Sequence, residues 1–510
     1  MNKDPIQFNG WTSHATRFVW APIFTWTYPS NAARFRLQIA WTADKAETIW
    51  LTEPQFDLTP LWPGIPLGQV DVMLTAVDAA EQTVANTWHK RFYKVPGPEA
   101  AQLRQDPLDY LTSVRRNLDY LLAPARDKVA PYEVGWPRSC WAAFEDNETG
   151  QRTRLGYPAL HHPSFIFAYL TFAEAFPDDP RADEARRQAR QYGQWLLDYR
   201  LPADWTCSLF PYSTIHEGKF EGGNEEQAIT LFRAARVGEA MLTLYRVTGE
   251  NDWLEYARHI AEMFVRLQRP DGTWPYRVNP RNATVTEDYT SNVVSPACLM
   301  ALLEEIQPDP RYAAARHKAI AWLKENPVKT RRWQGMYEDV GEQPPFANLQ
   351  HFDVDEAILY LTHFRTADPA FVPTAVELNR WVEDQFVVWG PELQLPVQPP
   401  TPTVLEQYVC YWPMECHTAR WLLALIALHT ATGDAEYLTK AIAAANSIVR
   451  GQQPSGAYST WGNDVRYGRP RVTGDWPGCN ALAVTALVRF QQYLQDIKTG
   501  GTLAIPLEGC

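Results

Sequence analysis

No run of lysine and arginine interrupts this chain, whose formal charge is −12. Phosphate backbones and anionic lipid surfaces are therefore repelled, and neither nucleic acid nor a membrane is expected as a partner. An acidic polymer can still bind where basic side chains converge. Cysteine is sparse: Cys140, Cys207, Cys298, Cys410, Cys416, Cys479 and Cys510 are scattered over 510 residues with no paired Cys-x-x-Cys spacing. That density excludes a disulfide framework, and the odd count leaves at least one thiol unpaired. No segment is apolar enough to span a bilayer, and the start, MNKDPIQFNGWTSHATRF, lacks a basic stretch followed by an apolar one. A soluble, cytoplasmic protein is expected, or a periplasmic or secreted one if an export signal has been removed. Phosphate-loop, Gly-x-Ser-x-Gly and dinucleotide fingerprints are missing, as is matched His/Cys/carboxylate spacing, so no cofactor and no metal are expected.

What is present is the composition of a globular chain, 45% hydrophobic and 21% charged. Its length calls for one large fold and something smaller. From about Phe18 to Val95 the pattern alternates with period two: RFVWAPIFTWTY, RFRLQIAWTA, QVDVMLTAVDA and TVANTWHKRFYKV read as short strands separated by Pro, Asp and Gly. This predicts a small all-β sandwich over residues 1–98, ending in the linker Val95, Pro96, Gly97, Pro98. The stretches PIFTWTYPSNAARFRLQIA and FDLTPLWPGIPLGQVDVMLTAVDA resemble fibronectin type III-like modules attached to polysaccharide-active enzymes.

After Pro107 the period becomes helical and stays so to about Ile497. Twelve helical runs follow one another, from DYLTSVRRNLDYLL to GCNALAVTALVRFQQYL. Even-numbered runs pass to the next through short turns such as VTGEND and TATGDAEY, whereas odd-numbered runs are followed by long segments. Six hairpins with every long connection at one end predict an (α/α)6 toroid over residues 99–510, even helices inside and odd helices outside. An α-solenoid also stacks helix pairs, but it rarely carries irregular Trp-containing loops on one side. The order of long loop, apolar inner helix, short turn and amphipathic outer helix resembles carbohydrate-active enzymes of the toroid type, both glycoside hydrolases and polysaccharide lyases. That resemblance implies an oligosaccharide or polysaccharide substrate.

At the mouth of such a ring stand the starts of the inner helices, where polar side chains and unpaired N–H groups face the opening. The expected starts are His161 and His162; Asn224, Glu225 and Glu226; Asp288, Tyr289 and Asn292; His351, Asp353 and Asp355; Glu415 and His417; Asp475, Trp476 and Asn480. Helix capping accounts for one acid per helix, Asn224 and Asp353 each fitting a capping box. It accounts less well for Glu225 beside Glu226, or for Asp353 and Asp355 together with His351.

Glycosidic cleavage needs a protonated carboxyl for the leaving oxygen and an ionised one to activate water or attack. Glu225 or Glu226 is expected on one side and Asp353 or Asp355 on the other. Sugar rings stack on indole, and several tryptophans fall in loops. The expected substrate contacts are His162, Asn224, Trp274, Arg277, Tyr289, Trp333, His351, Glu415, Trp461 and Trp476. The competing chemistry is β-elimination of a uronate-containing polysaccharide by Tyr289, His351 or His162 with Asn224, Arg277 or Arg466. A glycan-binding role without catalysis and sugar epimerisation are the remaining alternatives.

Overall fold

The computed structural model describes residues 6, 8–9, 16–42, 45–84, 88–98, 103–123, 141–145, 152–216, 228–333, 351–389, 401–406, 413–460, 476–501 and 506–507. Near the N-terminus, β1 (Phe8–Asn9), β3 (Ile23–Trp26) and β6 (Gln55–Asp57) form one antiparallel sheet. A second sheet has the order β2-β8-β7-β4-β5, from Arg17–Phe18, Trp88–Lys94, Gly68–Val77, Arg34–Thr42 and Lys45–Leu51. Along β4 the buried residues are Phe35, Leu37 and Ile39, the period-two pattern of a strand with one covered face. Those side chains meet Phe24 and Trp26 of the first sheet in one core, separate from the core of the helices.

Twelve α-helices follow among the described residues: α1 (Tyr110–Leu121), α2 (Pro158–Ala175), α3 (Ala182–Asp198), α4 (Leu231–Thr248), α5 (Asn251–Leu267), α6 (Val294–Ile306), α7 (Pro310–Leu323), α8 (Phe352–His363), α9 (Phe371–Phe386), α10 (Glu415–Thr432), α11 (Ala435–Arg450) and α12 (Pro477–Lys498). The even helices are covered on nearly every side, α10 from His417 to Leu428 without interruption, as core helices must be. The short turns have a local cause. Gly249 and Gly433 end α4 and α10 at φ 73° and 71°, a left-handed conformation glycine adopts without steric cost. Asp309 and Asp434 then start α7 and α11 by accepting from the backbone N–H of Arg311 (2.8 Å) and Glu436 (2.9 Å).

Each even helix packs on the next, α12 packs back on α2, and each odd helix leans on an even one, α1 on α12. The ring closes, which no solenoid does. The fold is an (α/α)6 toroid.

Two helix starts differ from expectation. The helix expected from Asn224 begins at Leu231, because Ile229 and Thr230 form a strand. With β9 (Trp141–Glu145), β10 (Arg152–Gly156) and β11 (Ile215–His216) as a separate sheet, this strand is β12, paired with β13 (Pro275–Val278), which pairs with β14 (Val285–Thr290). Asp288 and Tyr289 lie in β14 rather than at a helix start. Helix α6 begins at Val294, where Asn292 Oδ1 accepts from the N–H groups of Val294 (2.7 Å) and Ser295 (3.0 Å).

Candidate functional site

The N-terminal ends of the inner helices surround a pocket at the centre of the ring. Tyr157, His161 and Ser164 line it from the start of α2, Phe232, Arg233 and Arg236 from α4, and Phe352 from α8. Cys416, His417 and Arg420 come from α10, and Trp476, Gly478 and Cys479 from the start of α12. Among the described residues its charged lining is three guanidiniums, with no carboxylate.

The acids lie one layer below. Glu356 of α8 accepts from Ser295 Oγ (2.9 and 3.0 Å to its two oxygens), Asn292 Nδ2 (2.6 Å) and Arg236 Nη1 (3.3 Å), with Arg420 Nη1 3.8 Å away. Asn292 Nδ2 also donates to Asp353. Arg420 Cζ lies over the Phe352 ring at 3.4 Å, and Arg236 Cζ over Phe167 at 5.5 Å. These contacts fix the guanidiniums in orientation, as buried charges require.

A second set of contacts runs toward the pocket. His351, just before α8, places Nδ1 2.8 Å from Asp355 Oδ2, one helical turn on. His351 Nε2 lies 2.9 Å from His417 Nδ1. The start of α10 is held in place by Thr418, whose hydroxyl accepts from the Val404 N–H at 3.0 Å, and by the Met414 N–H donating to the Val404 carbonyl at 2.9 Å. With Nδ1 engaged, Nε2 is the His417 nitrogen left to meet a ligand. Burial and the Arg420 charge hold His351 down to about 3. Burial also pushes His417 well below the ordinary imidazole range, with His351 and Arg420 adding to it. Both rings are therefore neutral. Burial pushes Asp355 well up, against the pull of Arg420.

Of the residues expected to contact substrate, Trp476 lines the pocket and His351 stands directly behind it. Asp353 and Asp355 are wholly buried beneath it, in the roles just described. Glu415 opens α10; burial raises its carboxyl well above the usual range, and its Oε1 has no hydrogen-bond partner. His162 turns away from the ring centre, edge-on to Tyr192 (5.0 Å) and Trp195 (4.7 Å) of α3. Trp274 is a core pin whose Nε1 donates to the Phe264 carbonyl at 2.8 Å, and Trp333 is buried near Trp381. Arg277 binds Thr230 Oγ1 (3.2 Å) and Glu287, and Tyr289 stacks on Tyr276 at 4.4 Å. Asn224, Glu225, Glu226 and Trp461 lie outside the described residues.

Arg233, Arg236, Phe352 and Arg420 are what the sequence reading missed, whereas His417 was placed at the mouth without a role. The available signal was FRAARVGEAMLTL and CHTARWLLALIAL: arginines inside apolar inner helices, where a charge stays only with partners or a ligand. Among the described residues, no three His, Cys, Asp or Glu side chains are placed to hold a metal ion, and no helix is long and apolar enough to cross a membrane.

No protein-family model matches the chain, and no curated protein matches it. Solved structures do. A family 76 glycoside hydrolase from a bovine Bacteroides thetaiotaomicron strain superposes with TM-score 0.54 at 11% identity, over 96% of this chain and 100% of that one. Cellobiose 2-epimerase from Bacillus thermoamylovorans gives 0.55 at 12%, over 75% and 99%. An unsaturated glucuronyl hydrolase from Streptococcus agalactiae gives 0.51 at 9%, over 77% and 95%. At such identities the likeness shows the fold alone.

Proposed function

We propose that the ring mouth is the active site of a carbohydrate-active enzyme that moves a proton at the carbon next to a sugar carbonyl, as an aldose–ketose isomerase or 2-epimerase. The observation that carries this reading is the neutral His417, its Nδ1 engaged from behind and its Nε2 left to the pocket, among three guanidiniums. His417 Nε2 takes the C2 proton of an open-chain aldose, and the C–H electron pair moves toward C1 to leave the carbonyl oxygen as an enediolate. Arg233, Arg236 and Arg420 supply positive charge where that oxyanion develops. Return of the proton to C1, with the C2 hydroxyl proton passing to the C1 oxygen, gives the ketose; return to C2 after the enediolate has turned its other face to His417 gives the epimer. Trp476 and Phe352 offer apolar faces to the C–H groups of the sugar. The superposed cellobiose 2-epimerase supports this choice of chemistry on this fold, by analogy. The N-terminal sheets are read as a fibronectin type III-like accessory module.

Glycoside hydrolysis is the second reading. Glu415 favours it, since a carboxyl kept protonated by burial suits the general acid. Glu225 or Glu226 is then the partner carboxylate. One experiment separates the readings: incubation with a panel of neutral and acidic sugars in deuterated water. Deuterium entering at C2 of an aldose or at C1 of a ketose product with no new reducing ends, and lost in His417→Gln, is the expected result. New reducing ends without exchange would replace isomerisation by hydrolysis, and an unsaturated uronate product would replace both by a lyase.

A further inference from the structure

Asp355, His351 and His417 form an unbroken hydrogen-bonded line from the interior of the ring to the pocket, at 2.8 and 2.9 Å. Each internal bond of this line has one donor and one acceptor, so the position of one proton fixes all the others. With Asp355 ionised, His351 Nδ1–H donates to it, His417 Nδ1–H donates to His351 Nε2, and His417 Nε2 presents a lone pair. With Asp355 protonated, every bond reverses and His417 Nε2 carries a hydrogen. In both states both imidazoles are neutral.

We propose that Asp355 and His351 are positioning residues that set which nitrogen of His417 holds the proton, so that the three side chains act as one relay with its outlet at His417 Nε2. This rests on the reading of His417 as the base of the pocket. A proton taken from substrate carbon binds at His417 Nε2; the Nδ1 proton passes to His351 Nε2, and the His351 Nδ1 proton passes to Asp355. The electron pair of the broken C–H bond stays on the substrate, and the relay gains one proton. Return to the sugar runs the same transfers backward, so one side chain serves as base and then as acid without an imidazolium forming in the buried site.

The surroundings favour this division. Burial opposes charge on either histidine and raises the affinity of Asp355 for a proton. Arg420, reaching over from α10, draws Asp355 back toward the carboxylate, against the effect of burial. From α9 the neighbour of His351 is the Phe386 ring at 5.1 Å, which brings no charge. The Leu405 carbonyl also bears on the His351 ring, favouring a proton on it. On α8 itself, Glu356 is engaged by Ser295, Asn292 and Arg236, and Asp353 by Asn292.

The test needs no substrate. Full-length protein labelled with nitrogen-15 in the histidine rings is titrated by NMR, with the His417 signals identified by their loss in His417→Gln. The expected result is conversion of His417 from the Nε2–H to the Nδ1–H tautomer as pH rises, with no imidazolium stage. Asp355→Asn fixes one tautomer at every pH, and His351→Gln, the fallback if that variant does not fold, uncouples the tautomer from pH. Titration of wild-type His417 through an imidazolium, or an unchanged tautomer shift in the variants that fold, would overturn the relay. In the exchange assay the Asp355→Asn kcat falls about 10²–10⁴-fold with little change in KM. A tautomer shift as expected in a protein that exchanges no sugar proton would remove the isomerase reading and leave the relay standing.

Discussion

Glu356 shows what a buried charge demands of its neighbours. One carboxylate satisfies a hydroxyl, an amide and a guanidinium within 3.3 Å and has a second guanidinium at 3.8 Å. Removing it leaves donors and positive charge uncompensated in the interior. Glu356→Ala is expected to lose about 3–5 kcal/mol, read as a lower urea midpoint with an unchanged slope. Glu356→Gln, which keeps an acceptor, should lose less. His162 carries a pH dependence of its own. Burial holds its imidazole well below the ordinary 6.5, so the folded state rejects a proton that the unfolded chain accepts. Its contribution is complete above pH 6.5 and is lost as pH falls below it. In His162→Phe that group no longer titrates, so the wild type should lose stability relative to the variant by about 1.4 kcal/mol per unit of pH below that point. Parallel stability curves for the two proteins would contradict this. At this scale the sequence was a partial guide. It placed Trp476 at the mouth and singled out His351, but a tryptophan in a loop reads alike whether it pins the core, as Trp274 does, or faces a ligand.

At the scale of elements, the alternation of short and long connections was the most legible feature, because a Thr-Gly-Glu or Thr-Gly-Asp turn specifies a helix end and an immediate reversal. Helix starts were less legible. The polar run Asn224–Gln227 has the composition of a capping box, yet the helix begins only after Ile229 and Thr230, two β-branched residues whose ladder to Val278 and Arg277 is a tertiary event. The long connections are held by contacts of the same distant kind. Gly456, in the segment between α11 and α12, has φ +92°, and a Cβ there would stand 2.4 Å from the Arg116 carbonyl oxygen of α1. Its own carbonyl accepts from Asn117 Nδ2 (2.9 Å) and Gln452 Nε2 (2.8 Å). The same segment contributes Thr460, whose hydroxyl accepts from the Trp476 N–H at 2.6 Å. Gly456→Ala should therefore cost about 1–3 kcal/mol from the backbone alone and weaken turnover through Trp476. Gly64→Ala, where an added Cβ meets nothing within 4 Å, serves as the control, with a change inside about 0.5 kcal/mol in denaturant melts.

At the scale of the molecule, closure of the ring brings five sequence-distant helix starts to one pocket, and periodicity within any one of them shows none of this. The second molecular feature is the seam between the N-terminal sheets and the outer wall of the ring. The Trp20 ring has Arg380 at 4.7 Å and Lys440 at 5.4 Å, and its Nε1 donates to Glu383 at 2.7 Å. Asp384 accepts from the backbone N–H groups of Val19 (2.8 Å) and Trp20 (3.0 Å), and Thr25 Oγ1 donates to the Thr330 carbonyl at 2.5 Å. Beneath them Lys440 and Glu383 form a buried pair at 2.8 Å, so the indole also shields a charge pair from water. Losing this anchor exposes the pair and removes stacking on both cations, at a cost of about 2 kcal/mol or more. Two cores joined across such a seam melt together only while the seam holds. Calorimetry should accordingly record one transition for the wild type and two for Trp20→Ala, the sheets melting first. Trp20 is remote from the pocket lining, so the C2 exchange rate of the variant should match the wild type below the first transition. A single, unshifted transition in Trp20→Ala would mean that the coupling resides elsewhere along the seam.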